Sequence, residues 1–366
     1  MPRHPLKLLP ALLLVPGLAA AQAPDSSRLR LDSLLYRPLL VPLNAWQAPP
    51  LAPFAPGEIS SNPAALPQAQ LPAYGRLSGQ ARAEGGPWRR PQQARQGGTA
   101  GFAADGYHRR NSWHAYGAAG YERQQAAQVR WASIENPFDG NPYLWADTVA
   151  GAWQRDYLHA RLEVARPLGP RLTAGLSLGY QAGQGARDAD PRPQFQSRML
   201  RAAPGLWWQH GRHAAGLSAQ LAAGSEQNET GLNATQFPLL YRLRGLGTFS
   251  AAPTVTAERQ TTTWHGAGQA QYQYTAADGT RWLTQAGGGY RRAAVELTEL
   301  RNSDQNLPVL TLQPGGTLRE TTAEGQLAVL RPAAWGRWQA WAGYAWLRRR
   351  GTDPLFGVVN TLEDQH

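Results

Sequence analysis

One serine lies in a motif that is associated with acyl transfer. Residues 175–179 match G-x-S-x-G, the pattern of a nucleophile elbow, in which Ser177 would be the nucleophile. An elbow requires a sharp turn from a strand into a helix, with an acidic residue and a histidine later in the chain. Here Ser177 alternates with Leu176 and Leu178 in a stretch of two-residue periodicity, which predicts the middle of a strand. The structural interpretation is therefore favoured over the catalytic one.

Serine and histidine on adjacent strands would offer a second route to hydrolysis of a lipid. Ser112 lies near His108 and His114 in the chain, but no spacing selects one pair. His210 and His213 flank a predicted turn and have no cysteine or carboxylate neighbour, so they do not form a zinc motif. We predict no catalytic residue, no metal and no cofactor, and a lipid hydrolase is the least favoured function.

Oxygen-bearing side chains are concentrated in the predicted loop from Glu135 to Asp147. Such oxygens are the ligands that calcium prefers, although Asn-Pro and Asp-Gly pairs also form ordinary turns, which is the favoured alternative. The next long loop contains Asp190-Pro191-Arg192-Pro193, which is either a ligand contact or a rigid loop with an internal ion pair. The candidates for loop contacts are Asn136, Asp139, Asn141, Asp147, Asp190 and Arg192.

The elements that must position these residues are strands. In residues 157–165, Leu158 and Leu162 share one face with other apolar residues, while Tyr157 and Glu163 share the opposite face with polar ones. After a short link, residues 172–180 repeat the pattern. The strands have about the 9–11 residues that a tilted strand needs to cross a bilayer. We therefore predict an all-β fold, an antiparallel transmembrane β-barrel.

Eleven such segments are predicted, and the links between them alternate strictly between short and long. Outer-membrane barrels have short periplasmic turns and long extracellular loops, so the alternation predicts the topology too. The odd number of strands predicts that the barrel is incomplete, because single-chain bacterial barrels have even numbers. The predicted strands lie near residues 73–84, 99–109, 113–131, 154–165, 171–183, 197–209, 213–225, 261–275, 280–296, 317–330 and 336–349.

The regions outside the barrel strands have a different composition. Residues 1–21 form a signal peptide, with Arg3 and Lys7 before a short apolar run and an A-x-A cleavage site. Residues 22–72 are a proline-rich periplasmic arm that forms neither helix nor sheet, lies partly against or within the barrel, and is most ordered at residues 34–43. Residues 73–349 hold the barrel strands, and residues 350–366 are a tail or the start of a further loop.

Composition restricts the possible partners and chemistry. The chain has no cysteine, which excludes disulfides and thiolate metal sites. Its net charge is +11. Every lysine or arginine after the signal peptide is an arginine, and these arginines are dispersed through loops and strand ends. Together with the export signal, this dispersion predicts a location in the cell outer membrane and contact with anionic lipid, and it argues against nucleic acid.

The two faces of the strands predict different environments. Tryptophan and tyrosine near strand ends predict aromatic girdles at the membrane interfaces, at Trp113, Trp131, Trp153, Trp207, Trp208, Trp264, Trp282, Trp338 and Trp346. The inward positions are small or uncharged, which predicts a wet lumen without rings of charge. The candidates for lumen-facing residues are Ser177, Gln181, Ser218, Gln220, Gln269, Gln271 and Gln273.

Loop motifs carry a resemblance to a known family. Residues 136–143 read Asn-Pro-Phe-Asp-Gly-Asn-Pro-Tyr and are followed by Ala146-Asp147-Thr148, the Asp190 loop and Pro204-Gly205. With the strand pattern, they resemble an uncharacterised outer-membrane β-barrel family of Bacteroidota over residues 73–290. The resemblance implies an outer-membrane location and no particular chemistry. Members of that family are longer, so it also implies a C-terminally truncated member.

Three functions follow as hypotheses. The first is a non-enzymatic barrel that is accessory to uptake or surface assembly, beside a transporter or surface lipoprotein. The alternatives are a small-solute channel of the porin kind and, less favoured, the lipid hydrolase. In addition, the long loop at residues 226–260 has apolar aromatic stretches at 237–241 and 245–249, so we expect it to form a hairpin above the membrane or to fold into the barrel mouth.

Overall fold

The computed structural model describes residues 62–69, 73–231, 239–245, 247–253, 257–302, 308–333, 336–353 and 360–365. The predicted signal peptide and most of the predicted arm, including residues 34–43, lie outside the described residues. Among the residues described, no helix is long and apolar enough to cross a membrane.

Within these ranges the chain forms fifteen strands and one short 3₁₀ helix at Pro63–Ala69. All strand pairs are antiparallel. In chain order the strands are β1 (Tyr74–Gly85), β2 (Gln96–Arg110), β3 (Trp113–Val129), β4 (Tyr143–Ala146), β5 (Gly151–Pro167), β6 (Leu172–Arg187), β7 (Gln194–His210), β8 (His213–Thr230), β9 (Leu239–Arg244), β10 (Phe249–Pro253), β11 (Ala257–Thr275), β12 (Arg281–Asn302), β13 (Pro308–Ala333), β14 (Gly336–Asp353) and β15 (Asn360–Gln365).

Twelve of these strands form one large sheet in the order β1-β2-β3-β5-β6-β7-β8-β11-β12-β13-β14-β15. The predicted fold is confirmed, and each of the eleven predicted strands is present. Most of them continue further toward the long loops than predicted, and β12 and β13 reach residues 302 and 308. Such extensions rise above the bilayer, because a tilted strand crosses it with only about 9–11 residues.

The C-terminal residues differ from the prediction of a tail or loop. Asn360–Gln365 pair with β14 as a short twelfth strand of the sheet, with Arg350 opposite Glu363. The sequence did not indicate this strand, because residues 360–365 are polar and charged without apolar alternation. Among the described residues, β1 and β15 are the two edges of the sheet.

The two faces of the large sheet have opposite character. Leu158 and Leu162 are 49% and 50% exposed, whereas Glu163, the residue after Leu162, is fully buried. We call the face with Leu158 and Leu162 the outer face and that with Glu163 the inner face. An apolar outer face is the arrangement that lipid requires, because a strand surrounded by water would bury these leucines.

The girdle prediction needs one correction. Trp113, Trp208 and Trp282 are exposed on the outer face near strand ends, and Trp264 and Trp346 are exposed on the same face further inside their strands. Trp153 and Trp207, in contrast, are buried. Adjacent residues of a strand point to opposite faces, so Trp207 and Trp208 cannot both face lipid.

A smaller sheet lies at the long-loop end of the molecule. It has the order β10-β9-β4, so a hairpin from the loop at residues 226–260 pairs with a strand from the loop that precedes β5. Its apolar side chains pack on the large sheet, where Trp145 and Leu240 join Val295 and Leu297 in one buried cluster. The predicted hairpin is confirmed, although residues 237 and 238 lie outside the described residues.

The 3₁₀ helix Pro63–Ala69 corrects the prediction that the arm forms no helix. Asn62 begins it, since its side-chain Oδ1 accepts a hydrogen bond from Ala64 N at 3.0 Å and its carbonyl accepts one from Ala65 N at 3.1 Å. Pro63 follows as the first helical residue, where a proline loses no hydrogen bond. We call Asn62–Ala69 the strap. It contacts β3, β5, β6, β7 and β8.

The assignment of the outer face to lipid predicts a depth-dependent cost for charge. Leu178→Arg, near the middle of β6, should destabilise the folded protein in phosphatidylcholine vesicles by about 2–4 kcal/mol. Leu172→Arg, on the same face at the end of the strand, should cost no more than about 1 kcal/mol. Urea unfolding followed by tryptophan emission measures both. Equal costs for the two variants would show that this face does not cross the bilayer.

Candidate functional site

The strap lies in a groove that glycines open on the inner face. Gly175 of β6, Gly205 of β7 and Gly216 of β8 lie on neighbouring strands. A Cβ atom at Gly175 would overlap the backbone of Pro63 and Ala64, and one at Gly205 would overlap the Asn62 side chain. A Cβ atom at Gly216 would lie 2.8 Å from Asn62 Nδ2. The backbone of the strap thus touches the backbone of the sheet, which only glycine permits.

Asn62 fixes the strap to this groove by hydrogen bonds. Its side chain is buried, and Nδ2 donates to the carbonyl oxygen of Leu206 at 3.0 Å and to that of Leu217 at 3.4 Å. A buried amide that lost these partners would cost about 1–3 kcal/mol. The Asn62 amide therefore fixes the position of the strap on β7 and β8.

Leu66 provides the apolar half of the strap's attachment. It is fully buried and packs with Tyr107, Tyr116 and Ala165. These residues lie near the short-turn ends of β2, β3 and β5. The strap therefore covers the inner face of β3 and β5 to β8 at the short-turn end, which is the periplasmic end of the predicted topology.

The long-loop end of the inner face is covered through arginine contacts. Arg291 of β12 donates from Nη1 to Glu320 Oε2 at 2.7 Å and from Nη2 to Asp139 Oδ2 at 2.9 Å. Its Nη1 also lies 3.1 Å from the carbonyl oxygen of Asp139. On the other side of Glu320, Arg349 Nε donates to Oε1 at 2.6 Å. One guanidinium thus joins the loop at Asp139 to the wall of the sheet.

Arg259 makes the second such connection. This residue of β11 is buried, and Nη1 donates to Asn228 Oδ1 at 2.7 Å while Nη2 donates to the carbonyl oxygen of Tyr143 at 3.1 Å. The Glu226 carboxylate lies 3.8 Å from the same guanidinium. Since Tyr143 begins β4, Arg259 attaches the small sheet to the large one.

These charges correct the prediction of an uncharged inner face. Buried ionisable residues of the large sheet include Asp105, Glu163, Arg291 and Glu320. Asp105 accepts a hydrogen bond from Arg76 at 2.8 Å, and Glu163 forms an ion pair with Arg161. A buried charge is costly unless it is paired, which these contacts provide.

The polar residues predicted to face the lumen lie on this inner face. Ser218 and Gln271 are buried, and Gln271 Nε2 donates to Gln285 Oε1 of β12 at 3.2 Å. The other predicted positions are partly buried, namely Ser177, Gln181, Gln220, Gln269 and Gln273. Ser177 lies inside β6, so the turn that a nucleophile elbow requires is not present at this motif.

The loop-contact candidates are engaged within the chain. Four of them accept a hydrogen bond from the backbone two residues later, as turn-forming side chains do: Asn136, Asp139, Asn141 and Asp147.

Asp147 has two further partners. Its Oδ2 accepts from Ser133 Oγ at 2.6 Å and lies 2.8 Å from Arg187 Nη2, with both ionised side chains fully buried. In the next long loop, Arg192 Nε lies 3.1 Å from Asp190 Oδ1, which is the internal pair of the rigid-loop alternative. Throughout the described ranges no cluster of three or more histidine, aspartate or glutamate residues could hold a metal.

Glu135 lies in the loop before β4 and has a strongly shifted pKa. Burial raises its pKa to about 8, and the neighbouring Glu226 carboxylate adds to the shift, while Arg155 opposes it. The two glutamates are in contact, since Glu135 N donates to Glu226 Oε1 at 3.1 Å. Below a pH of about 8, a proton on Glu135 thus relieves repulsion between the loop and β8.

Sequence reasoning missed the strap groove and the two arginine connections. For the arginines a signal was present, because Arg291 shares strand parity with the buried Ala293 and Val295. For the groove, glycines at inward positions of three consecutive strands were visible, but nothing in the sequence showed which part of the predicted arm would fill them.

The comparison with protein families identifies the chain. A family model described as "Family of unknown function (DUF6850)" matches residues 63–365. The chain belongs to this family. The match begins at the strap and includes the whole described sheet. The predicted origin in Bacteroidota stays a prediction, and no curated protein matches the chain in sequence.

Solved structures give distant similarities to this family member. The ferric-catecholate import receptor Fiu of E. coli K12, in its open form, has a TM-score of 0.42 at 9% identity, over 84% of this chain and 61% of the receptor. The ferric yersiniabactin uptake receptor FyuA of Yersinia pestis has a TM-score of 0.42 at 10% identity, over 80% and 57%. The ferric preacinetobactin receptor BauA of Acinetobacter baumannii has 0.34 at 8%, over 73% and 54%.

The chain spans between half and two thirds of the length of these receptors. What they bind does not transfer to it. The location follows from the molecule itself, because strands long enough to span, an apolar outer face and short turns at one end only are the properties of an outer-membrane β-barrel protein.

The glycine groove predicts a position-specific effect of a single methyl group. Gly175→Ala should displace the strap, because the new Cβ would overlap Pro63 and Ala64. The expected loss of stability is about 1–3 kcal/mol, with faster proteolysis at the strap. Gly179→Ala, four residues further along the same face, should be nearly neutral, since its nearest neighbour is Arg201 Cβ at 3.7 Å. Equal proteolysis of the two variants would contradict the groove.

Glu135 predicts a pH dependence of the small sheet. Its folded-state pKa of about 8 lies above the ordinary 4.5, so the stability that protonation contributes is present below 4.5 and is lost as pH rises to 8. We expect the urea midpoint for opening of β4, followed by pulse proteolysis, to fall across this range. Glu135→Gln should flatten the profile, whereas Glu296→Gln, at an exposed position of β12, should not. A wild-type profile without slope would be inconsistent with this account.

Proposed function

We propose that this protein is a non-enzymatic outer-membrane β-barrel protein that is accessory to uptake or surface assembly. The observation that carries the proposal is that the chain covers part of its own inner face at each end. The strap occupies the short-turn end and the small sheet occupies the long-loop end. A barrel whose interior is filled in this way is better suited to presenting a binding surface than to conducting solutes.

The long-loop end supplies the surface for such a role. There β4, β9 and β10 form the small sheet, Arg259 binds the carbonyl oxygen of Tyr143, and Arg291 binds Asp139. An ordered loop surface can bind a partner without the entropic cost of ordering loops on contact. The partner we propose is a neighbouring transporter or surface lipoprotein.

A small-solute channel is the alternative, and one observation favours it. Between the two covered ends, the inner face carries the polar side chains of Ser218, Gln269 and Gln271, which suit a wet passage. A lipid hydrolase has less support, because Ser177 lies within an extended strand and not in the sharp turn of a nucleophile elbow.

Planar-bilayer recording separates the filled barrel from the channel. The full chain should give no stable conductance, because the strap and the small sheet obstruct the inner face. Gly175→Ala, which displaces the strap, should raise the frequency of brief openings, whereas Gly179→Ala should behave as the wild type does. Stable conductance of the wild-type protein would reject the filled barrel and favour the channel.

Affinity purification tests the partner. Tagged full-length protein from gently solubilised outer membranes should recover one transporter or lipoprotein in stoichiometric amount. Arg259→Gln, which detaches the small sheet, should reduce that recovery while the protein still inserts. Recovery of the protein alone, under conditions in which other outer-membrane complexes stay intact, would reject the partner.

A further inference from the structure

The outer face carries a row of arginines in direct register across three strands. Arg292 of β12 lies opposite Arg319 of β13, and Arg319 lies opposite Arg350 of β14. All three residues are exposed. Directly opposed residues have Cβ atoms only about 4.5–5.5 Å apart, and like charges in such positions repel. An anion between the guanidinium groups would remove this repulsion.

The row lies at the height of the outer headgroups. Trp282, on the outer face at the short-turn end of β12, is ten residues from Arg292 on the same face. Ten residues of a strand tilted by about 40° rise roughly 25 Å, which is the height of the apolar band of an outer-membrane barrel. Trp264 lies opposite Arg292 and is 63% exposed, as expected for an interfacial aromatic residue.

Four residues below the row, small residues form a shallow trough. Gly268 of β11, Gly288 of β12 and Ala323 of β13 lie side by side in register on the outer face. Tyr290, 47% exposed, lies between Arg292 and Gly288 on β12, and Trp346, 37% exposed, lies opposite Ala323. A trough of this kind accommodates acyl chains against the strands, while the arginines lie at its upper end.

Two acidic residues lie near the ends of the row. Glu363 of β15 is opposite Arg350 at one end. Glu296 is also on the outer face of β12, four residues further toward the loop. Arg348, two residues below Arg350, adds a further guanidinium to β14. The cationic centre is therefore the directly opposed pair Arg292 and Arg319.

We propose that Arg292 and Arg319, with Arg350, bind the phosphate of an outer-leaflet lipid whose acyl chains lie in the trough below. Guanidinium groups match phosphate geometry through paired hydrogen bonds, which favours arginine over lysine at such a site. The position at the headgroup level, above an apolar trough, favours a lipid over a soluble anion. This site depends on the orientation of the sheet in the membrane and not on the function proposed above.

The test measures lipid binding to the full chain in detergent by native mass spectrometry. Bisphosphorylated lipid A is the probe, and the same glycolipid without phosphates is the comparison. Arg292→Gln with Arg319→Gln should weaken lipid A binding about tenfold or more, because each charge-assisted contact contributes at least about 1.5 kcal/mol. Binding by the wild type should also weaken as salt is added.

The control removes two arginines from the same strands at the opposite end. Arg281→Gln with Arg331→Gln alters exposed residues of β12 and β13 near the short turn and should leave lipid A affinity within about twofold of the wild type. Heat-modifiable migration on gels verifies that each variant is folded. If the first pair does not fold, Arg292→Lys with Arg319→Lys keeps both charges, and a loss of about threefold is expected because lysine lacks the fork.

Three results would overturn the proposal. The first is equal binding of lipid A and its phosphate-free form. The second is a loss of lipid A affinity in the control pair equal to that in the first pair. If the lysine pair is used, an affinity unchanged from the wild type is the corresponding result. The third is complete displacement of lipid A by millimolar inorganic phosphate, which would assign the arginines to a soluble anion.

Discussion

The structure depends on one constraint, the satisfaction of backbone hydrogen bonds where water is absent. In hydrocarbon each unpaired N–H or C=O group costs several kcal/mol, so a spanning strand must pair along its length. Strands β2 to β13 of the large sheet meet this by pairing with the strands before and after them in the chain, except where β4, β9 and β10 leave the series. These three strands come from long loops, where water is available. The division of the chain into two sheets thus follows the boundary of the membrane.

Pairing of this kind fixes which side chains meet on each face. Successive residues alternate between lipid and interior, so every apolar outward residue is followed by an inward one that must find polar or small partners. The inner face solves this in two ways. Near the short turns, glycine and tyrosine receive the strap, whereas near the long loops charged residues are paired, as Arg291 is with Glu320 and Asp139.

The sequence was sufficient for the parts of the fold that periodicity determines. Alternation located Leu158 and Leu162 on the outer face, and the lengths of the links separated the two ends of the sheet. It could not locate β15, whose residues are polar throughout, or the contact of Asn62 with β7 and β8, which joins residues more than 140 positions apart. Nor could it pair Arg259 with Tyr143, because the fold of a long loop depends on partners from another loop. Long-range contacts between irregular segments leave no periodic signal.

The two covered ends differ in the interactions that hold them. At the strap, close backbone packing, the buried Leu66 and neutral hydrogen bonds of Asn62 carry no net charge, so salt and pH act on them weakly. At the long-loop end, the contacts of Arg259, Arg291 and Glu135 involve ionised or ionisable groups. Conditions outside the cell therefore act on the end that faces them, while the periplasmic end keeps a contact that depends on shape. A protein that works at a surface would gain from this division, because its exposed loops can respond without releasing the strap.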